Sequence, residues 1–116
     1  MNRIKVINLI PKAFSNEQAS VLRDEIKKLL DAGAQKIEID FSGITVFTTL
    51  FFNFSTGVFI NEMGKEKYDT IFEITNLDDL GESTYNHSYN NCIRDEIKGD
   101  EEINAKILEI LNGIDE

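Results

Sequence analysis

The alternation of apolar and polar residues predicts three β-strands. Residues 3–10 place apolar side chains on both faces, which is typical of a strand covered on both sides in a layered α/β domain. Pro11 ends this strand because proline has no amide hydrogen to donate to a neighbouring strand. Residues 35–41 alternate strictly, so Ile37, Ile39 and Phe41 share one face. Residues 68–74 show the same period and form the third predicted strand.

Apolar residues at helical spacing predict a helix over residues 15–32. Ser15 is a favourable N-cap, Gln18 stands at the capping-box position, and Gly33 is a natural stop after the last turn. The apolar stripe consists of Ala19, Leu22, Ile26, Leu29 and Leu30.

A strongly aromatic helix is predicted from Thr48, its N-cap, to residue 63. Five of the eight phenylalanines lie between positions 47 and 59, which indicates a helix that is deeply buried or docked to another molecule. Whether Phe52 and Phe59 cover a second layer or form an exposed patch stays open at this point. The residues expected to lie against the sheet are Leu50, Phe51, Phe54 and Val58.

The C-terminal third is predicted to form an acidic turn at residues 76–82 and two helices. The first helix covers residues 84–98, with Tyr85, Tyr89 and Cys92 on its apolar face. The second covers residues 101–111 and carries a stripe of Ile and Leu. Because short connections usually join spatial neighbours, we expect the second helix to pack on its own chain, with a second chain as the alternative.

The predicted order, β-α-β-α-β-α-α, indicates an α/β fold. The sheet is expected to be mainly parallel, with three to four strands flanked by helices in a small layered sandwich. Residues 1–116 form a single domain, and residues 100–116 are its helical extension. A short extra strand in residues 10–14, or pairing with a second chain, would complete a sheet of so few strands.

The net charge of −9 is concentrated in the second half of the chain. Residues 1–60 hold seven basic and six acidic side chains, whereas residues 61–116 hold five and fifteen. An acidic surface repels phosphate backbones and anionic lipids, so we expect neither nucleic acid nor a membrane as partner. It either keeps a small domain in solution or suits a basic protein partner.

The expected location is the cytoplasm, and no metal or cofactor is expected. No apolar run approaches the length of a membrane span, and the N-terminus lacks the apolar core and cleavage site of a signal peptide. One cysteine, Cys92, cannot form an internal disulfide. With a single histidine, His87, it also cannot build a zinc site of the usual Cys/His kind within one chain.

Catalytic motifs are missing from the sequence. It contains no phosphate-binding loop, no dinucleotide-binding glycine pattern and no nucleophile elbow. His87 is interpreted as a surface residue and Cys92 as a buried, inert thiol. Asp40 stands near the carboxyl end of the central strand, where α/β proteins place ligand and phosphoacceptor sites. An alternative function, a small metal-dependent enzyme or phosphotransfer domain, would depend on Asp40.

The most informative segment is residues 37–60, IEIDFSGITVFTTLFFNFSTGVFI. A strand ends in Asp-Phe, and a Ser-Gly break, an apolar bridge, a hydroxyl pair and an apolar helix follow. This pattern resembles the STAS fold of sulfate transporters and anti-sigma-factor antagonists. The DFSGI of residues 40–44, followed by Phe51 in a helix, is more similar to a STAS-like family of unknown function found in prokaryotic cytoplasmic proteins. The resemblance covers residues 15–97.

The helix start departs from the STAS pattern of Asp-Ser-Ser-Gly. Counted from Asp40, these four positions hold Thr48, Thr49, Leu50 and Phe51. The serine that is phosphorylated in anti-sigma-factor antagonists is therefore replaced by Leu50. Thr48 and Thr49 keep hydroxyls at the helix N-terminus, where they serve as a phosphorylation switch or, in the case of Thr48, as the N-cap alone.

The resemblance implies a non-enzymatic protein-interaction or regulatory domain without catalytic residues. Related domains bind a partner protein, often a GHKL-type ATPase or kinase regulator, through the loop after the second strand and the start of the next helix. An acidic, antitoxin-like structural subunit is a further alternative, and the chain is expected to be a monomer or a homodimer. The candidate partner-binding or regulatory residues are Asp40, Ser42, Gly43, Thr48, Thr49, Phe52 and Asn53.

Overall fold

A three-stranded parallel sheet forms the centre of the molecule, and the computed structural model describes residues 2–93. The strands are β1 (Asn2–Lys5), β2 (Ile37–Asp40) and β3 (Phe72–Thr75). They lie in the order β1-β2-β3, and the register places Asp40 between Lys5 and Thr75. Because all strands are parallel, their carboxyl ends meet at one edge of the sheet. The predicted α/β class with a parallel sheet is confirmed.

Helices connect the strands and follow the last one. Their bounds are α1 Asn16–Asp31, α2 Thr49–Phe54, α3 Thr56–Met63, α4 Lys65–Ile71 and α5 residues 79–93. Side chains from all five helices share one hydrophobic core with the apolar face of β2, where Ile37, Ile39 and Phe41 are inaccessible to solvent. Within residues 2–93, no helix is both long and apolar enough to cross a membrane.

Helix α1 forms as predicted. Ser15 Oγ accepts a hydrogen bond from the Gln18 amide at 3.1 Å, and Gln18 Oε1 accepts one from the Ser15 amide at 3.0 Å, which completes the capping box. The stripe residues Leu22 and Ile26 are fully buried. Gly33 follows the helix with φ of 92°, a left-handed conformation that glycine adopts without steric cost.

The first strand is shorter than predicted. β1 ends at Lys5, and Val6–Asn8 form a 3-10 helix whose Val6 carbonyl accepts from the amides of residues 9 and 10. β2 ends opposite Lys5, so residues 6–10 have no neighbouring strand with which to pair. The expectation of apolar cover on both faces is also wrong, because Arg3 and Lys5 are exposed while Ile4 is buried.

Residues 10–14 form a single bridge in place of an additional strand. Ala13 pairs with Phe47 in parallel. The Ala13 amide donates to the Val46 carbonyl at 2.9 Å, and the Thr48 amide donates to the Ala13 carbonyl at 2.9 Å. This bridge joins the segment that precedes α1 to the segment that precedes α2.

The aromatic helix is divided at Ser55 into α2 and α3. Ser55 Oγ donates to the Phe51 carbonyl at 2.8 Å, and Thr56 Oγ1 donates to the Phe52 carbonyl at 3.4 Å. Hydroxyl groups that bond to preceding carbonyls compete with the backbone ladder and bend or interrupt helices. The backbone of Ser55, with φ of −114° and ψ of −89°, leaves the helical region at this point.

This division changes which aromatic residues are buried. Phe52 is fully buried, whereas Leu50 and Phe54 are 46% and 41% exposed. The prediction that Leu50 and Phe54 lie against the sheet is therefore wrong, and so is the possibility that Phe52 is a surface residue. The predicted stripe connected Leu50 and Phe54 to Val58 through a continuous helix, and the interruption at Ser55 removes that continuity.

The third strand begins later than predicted. Residues 68–71 belong to α4, because β2 offers only four residues for pairing with β3 and Tyr68 packs into the core. The Tyr68 ring stacks on Phe72 with centroids 4.5 Å apart, and its hydroxyl lies 2.7 Å from that of Tyr85. Burial raises the pKa of both tyrosine hydroxyls, so they stay protonated at neutral pH.

Helix α5 begins at residue 79, inside the segment predicted as an acidic turn. Asp78 Oδ1 accepts a hydrogen bond from the Gly81 amide at 2.7 Å, as an N-cap does. Tyr85 and Tyr89 pack against the core and Cys92 is buried, as predicted. Three predicted features lie outside the described residues. They are the end of this helix, the helix over residues 101–111 and the extension of residues 100–116.

Truncation of Phe52 should destabilise the fold far more than truncation of Phe54. The Phe52 ring contacts four aromatic rings, with centroids 5.5, 6.0, 5.4 and 5.3 Å away. We expect Phe52→Ala to lower the free energy of unfolding by about 3–5 kcal/mol. Phe54→Ala, at a half-exposed position, should cost about 1 kcal/mol or less. Urea denaturation of both variants measures the difference, and equal costs would contradict the burial described here.

Candidate functional site

The side chain of Asp40 holds the segment that follows the central strand. Asp40 is the last residue of β2 and is 4% exposed. Its Oδ1 accepts hydrogen bonds from the Ser42 amide at 2.9 Å, the Ser42 hydroxyl at 2.6 Å and Asn76 Nδ2 at 2.9 Å. One carboxylate oxygen thus fixes both the turn after β2 and the residue after β3.

These hydrogen bonds also set the ionisation of Asp40. They lower its pKa from 3.8 to about 2. The hydrogen bond from the Ser42 hydroxyl is the largest cause, followed by those from Asn76 and the Ser42 amide. Burial of the carboxylate raises the pKa but is outweighed. Asp40 is therefore a carboxylate at neutral pH. Its geometry is that of an acceptor that organises loops, since its partners are two neighbouring segments of the same chain.

Ser42 and Gly43 form an exposed turn against the end of β1. The Ile44 amide donates to the Phe41 carbonyl at 3.0 Å, and Gly43 adopts φ of 86°. A β-carbon at Gly43 would lie 3.7 Å from the side chain of Ile7, which belongs to the 3-10 helix after β1. The turn and Ile7 consequently form one surface at the carboxyl edge of the sheet.

Thr48 caps α2, as predicted. Its Oγ1 accepts from the Phe51 amide at 3.1 Å and donates to the Phe14 carbonyl at 2.7 Å. The hydroxyl therefore links the start of α2 to the segment before α1. Thr49 is half-buried, and within residues 2–93 its side chain makes no hydrogen bond.

Two of the predicted site residues face the interior of the structure. Phe52 is fully buried. Asn53 Oδ1 accepts from the Ser88 hydroxyl at 2.5 Å, and Cys92 Sγ lies 4.0 Å from the same atom. A β-carbon at Gly57 would lie 2.7 Å from Cys92 Sγ, so glycine at that position allows α3 to approach α5. Phe52 and Asn53 thus connect helices and do not present a binding surface.

The sequence analysis did not identify Asn76 or Glu38. Asn76 has φ of 60°, a left-handed conformation that asparagine tolerates better than most residues, and this places its amide on Asp40. Glu38 accepts from Arg3 Nε at 3.1 Å and from Thr75 Oγ1 at 2.8 Å, which ties the three strands together on their polar face. An asparagine directly after a predicted strand is the sequence signal from which the role of Asn76 could have been found.

Exposed apolar side chains are concentrated in two segments of the chain, one before α1 and one that leads into α2. Among the described residues, eight large apolar side chains are exposed, and six of them lie in residues 6–14 and 46–54. Because side chains alternate across the bridge, Phe14 and Val46 point away from the buried Ala13 and Phe47. We define the edge patch as Ile7, Leu9, Phe14, Val46 and Leu50.

The segments that form the edge patch carry almost no charge. No charged residue occurs between Phe41 and Asn61, and Lys12 is the one charged residue in positions 6–16. The chain as a whole is 28% charged, with a net charge of −9. The edge patch is therefore formed by segments that are nearly free of charge, in a chain whose net charge is −9.

Two grooves lie along α1, and one of them is lined by Asn16 and Arg23 of α1 together with Phe54 of α2. A groove of about 510 Å³ runs between α1 and α3, with Leu30, Val58 and Phe59 among its lining residues and charges of both signs on its walls. None of the predicted site residues lines it. Across residues 2–93, no group of three or more His, Cys, Asp or Glu side chains could hold a metal ion.

Comparison with known families identifies the family of this chain. A family model described as a STAS-like domain of unknown function (DUF4325) matches residues 18–82, which is more than half of the chain. The chain belongs to this STAS-like family. The matched part of the STAS-like domain contains Asp40, its turn and Asn76, whereas β1 and most of α5 lie outside it. Neither the curated proteins nor the solved structures give a significant match.

Asp40 should contribute stability that is lost in acid. Its pKa is depressed in the folded chain, so its contribution is complete above the unfolded value of 3.8 and disappears as the pH falls toward about 2. We expect Asp40→Asn to lower the free energy of unfolding by about 1–2 kcal/mol at neutral pH.

Urea denaturation over a pH series checks this expectation. The difference between the parent and Asp40→Asn should shrink as the pH falls from 3.8 to about 2. Asp24→Asn, at an exposed position of α1, is the matched control and should show little difference at any pH. A difference for Asp40→Asn that stays constant in acid would contradict the assigned hydrogen bonds.

Proposed function

We propose that this STAS-like domain is a non-enzymatic regulatory module that binds a partner protein through the edge patch and the adjacent start of α2. The observation that supports this proposal is the concentration of exposed apolar side chains in segments that are nearly free of charge. The centres of protein interfaces are depleted in charged residues, and contiguous apolar area on a small protein usually marks a binding site.

The backbone under the patch is held in advance of binding. The Asp40 hydrogen bonds fix the turn at Ser42, the bridge from Ala13 to Phe47 fixes Val46, and the Thr48 cap fixes the first turn of α2. A surface that is already ordered loses less conformational entropy when it binds, so more of its contact energy appears as affinity.

The proposed surface keeps part of the predicted one and replaces the rest. Ser42, Gly43 and Thr49 stay as contact residues, while Asp40 and Thr48 become positioning residues that hold them. Val46 and Leu50 take the places of Phe52 and Asn53, which are turned inward. The kind of partner that the STAS resemblance implies, a GHKL-type ATPase or kinase regulator of the cytoplasm, is the first to be tested.

Leu50→Asp should abolish partner binding without unfolding the domain. Leu50 is 46% exposed, so an aspartate there remains solvated in the free protein but must be desolvated in a complex. The matched control is Val21→Asp, which lies on α1 and is 43% exposed. We expect at least about a tenfold loss of affinity for Leu50→Asp and no loss for the control.

Capture from a lysate of the source organism, followed by titration with the captured protein, provides this measurement. Thermal melting of both variants shows whether the fold is intact. If the parent, Val21→Asp and Leu50→Asp all retain the captured protein equally, binding through the edge patch is refuted.

Thr49→Asp should weaken partner binding while it preserves α2. An acidic residue in the first turn suits the helix dipole, so the free domain should keep its stability. In a complex, the added charge must lose water beside an apolar surface, and we expect about a 3- to 10-fold weaker affinity. Asn90→Asp, which adds the same charge on the exposed side of α5, is the control. Unchanged affinity in Thr49→Asp would remove the start of α2 from the proposed surface.

A further inference from the structure

Two cavities along α1 form one groove between this helix and the pair α2 and α3, and we call it the α1 groove. Their volumes are about 320 and 510 Å³, and Arg23 lines both. The Arg23 guanidinium reaches from one helix to the other, because it donates to the Ser20 hydroxyl at 3.2 Å and to the Phe54 carbonyl at 3.4 Å. The α1 residues that line the groove recur along one side of the helix: Asn16, Glu17, Ser20, Arg23, Asp24, Lys27, Leu30 and Asp31.

The two walls of the α1 groove run in the same direction. The start of α1 faces the end of α2, since Asn16 and Phe54 line the first cavity. The end of α1 faces α3, since Asp31 and Glu62 line the second. Because α1 has 16 residues, the groove is about 24 Å long. A groove of this length between two helices accommodates a third helix of about four turns, whose ridges pack between theirs.

The walls of the α1 groove differ in chemistry. The wall from α2 and α3 presents Phe54, Val58 and Phe59, and no charged residue occurs in the chain between positions 41 and 61. Phe54 offers the largest apolar area of this wall, because its ring is 41% exposed. The wall from α1 is mostly polar and charged. An occupant therefore needs one apolar side and one charged side, which is the pattern of an amphipathic helix.

The charged residues that line the groove are mostly acidic. Four acids and two bases line it: Glu17, Asp24, Asp31 and Glu62, with Arg23 and Lys27. Within residues 2–93, none of these six side chains forms an ion pair. At the far end, Asp31 and Glu62 approach the second cavity from opposite walls. The excess of acids favours an occupant with basic residues.

The same charges disfavour this chain as its own occupant. Residues 94–116 contain eight acidic and three basic residues, and the whole chain has a net charge of −9. The C-terminal segment or a second copy would therefore bring more negative charge to an acidic groove, and like charges brought together across an interface cost free energy. A basic segment of another protein meets no such repulsion.

We infer that the α1 groove binds an amphipathic helix of a partner protein, with its apolar face on Phe54 and Val58 and basic residues beside Asp31 and Glu62. The inference deepens the proposed function, on which it rests for the existence of a partner, by adding the kind of segment that the partner offers. Leu50 of the edge patch lies one helical turn before Phe54, so the patch and the groove are neighbours on α2.

Binding of a synthetic helix to the full chain tests the inference. The probe is a peptide of about 18 residues, long enough to fill the groove, with leucines along one face and lysines on its flanks. A second probe carries glutamates in place of the lysines. In isothermal titration calorimetry, we expect the lysine probe to bind and the glutamate probe to bind at least about tenfold more weakly. A chain that binds neither probe, or both equally, overturns the inference.

Variants of the chain locate the bound probe. Phe54→Asp should weaken binding by about tenfold or more, whereas Val21→Asp, which is 43% exposed and lines neither cavity, should leave it unchanged. Glu62→Lys should weaken binding about 3- to 10-fold, and Glu73→Lys, which makes the same charge change at an exposed position of β3, should not. Thermal melting shows whether each variant is folded. Equal effects of Glu62→Lys and Glu73→Lys would mean attraction by net charge alone and would overturn the groove as the site.

Two measurements on the free chain reveal any other occupant. A dimer in sedimentation equilibrium that Phe54→Asp dissociates places a second copy in the groove. A zero-length cross-link between Lys27 and an acidic residue of positions 94–116 places the C-terminal segment there. Either result overturns the inference.

Leu50→Asp separates the inference from the proposed function. If the groove binds the lysine probe but Leu50→Asp still retains the captured partner, only the edge patch is refuted. If no probe binds but Leu50→Asp loses the partner, only the inference about the groove is refuted.

Discussion

The Oδ1 atom of Asp40 accepts three hydrogen bonds, and the position of the loop after β2 depends on them. The strands are only four residues long, so the sheet itself has few backbone bonds with which to fix its carboxyl edge. A buried carboxylate with well-placed donors supplies that order, because hydrogen bonds to a charged acceptor are stronger than those between neutral groups. Removal of the charge would leave Ser42 and Asn76 with a weaker common acceptor.

A second constraint is the interruption of the aromatic helix at Ser55. It directs Phe51 and Phe52 into the core with Phe41, while Leu50 and Phe54 remain at the surface. Asn53 accepts a hydrogen bond from Ser88, so α2 is tied to α5 by a partly buried polar contact. The molecule therefore has an aromatic core and, on the other side of the same short helix, the apolar surface from which the proposed interactions arise.

The proposed function rests on one physical contrast. The chain carries a net charge of −9, but the segments that form the edge patch are nearly free of charge and apolar. Water is displaced from such an area at little electrostatic cost, which favours contact with another apolar surface.

Several features follow from the sequence alone, because they depend on local interactions. Four short-range patterns are present in the structure as predicted. They are the capping box of Ser15 and Gln18, the cap at Thr48, the alternation from Ile37 to Phe41 and the DFSGI of the STAS-like family. Other features depend on contacts between distant segments. The length of β1 is limited by where β2 ends, and Tyr68 is helical because its ring packs on Phe72 and its hydroxyl meets Tyr85.

The candidate site also combines features that the sequence predicts with features that depend on tertiary contacts. The sequence predicted Ser42 and Gly43 in the turn after the second strand and Thr48 and Thr49 at the start of the next helix, and the structure has them there, because turns and caps are local features. It could not reveal that Asn76, 36 residues after Asp40, donates to the same oxygen, or that Phe52 and Asn53 face inward. Helical periodicity gives the relative angle between residues of one helix, but only packing against the sheet and α5 decides which side is buried. Tertiary structure therefore decided which apolar residues form the core and which form the edge patch.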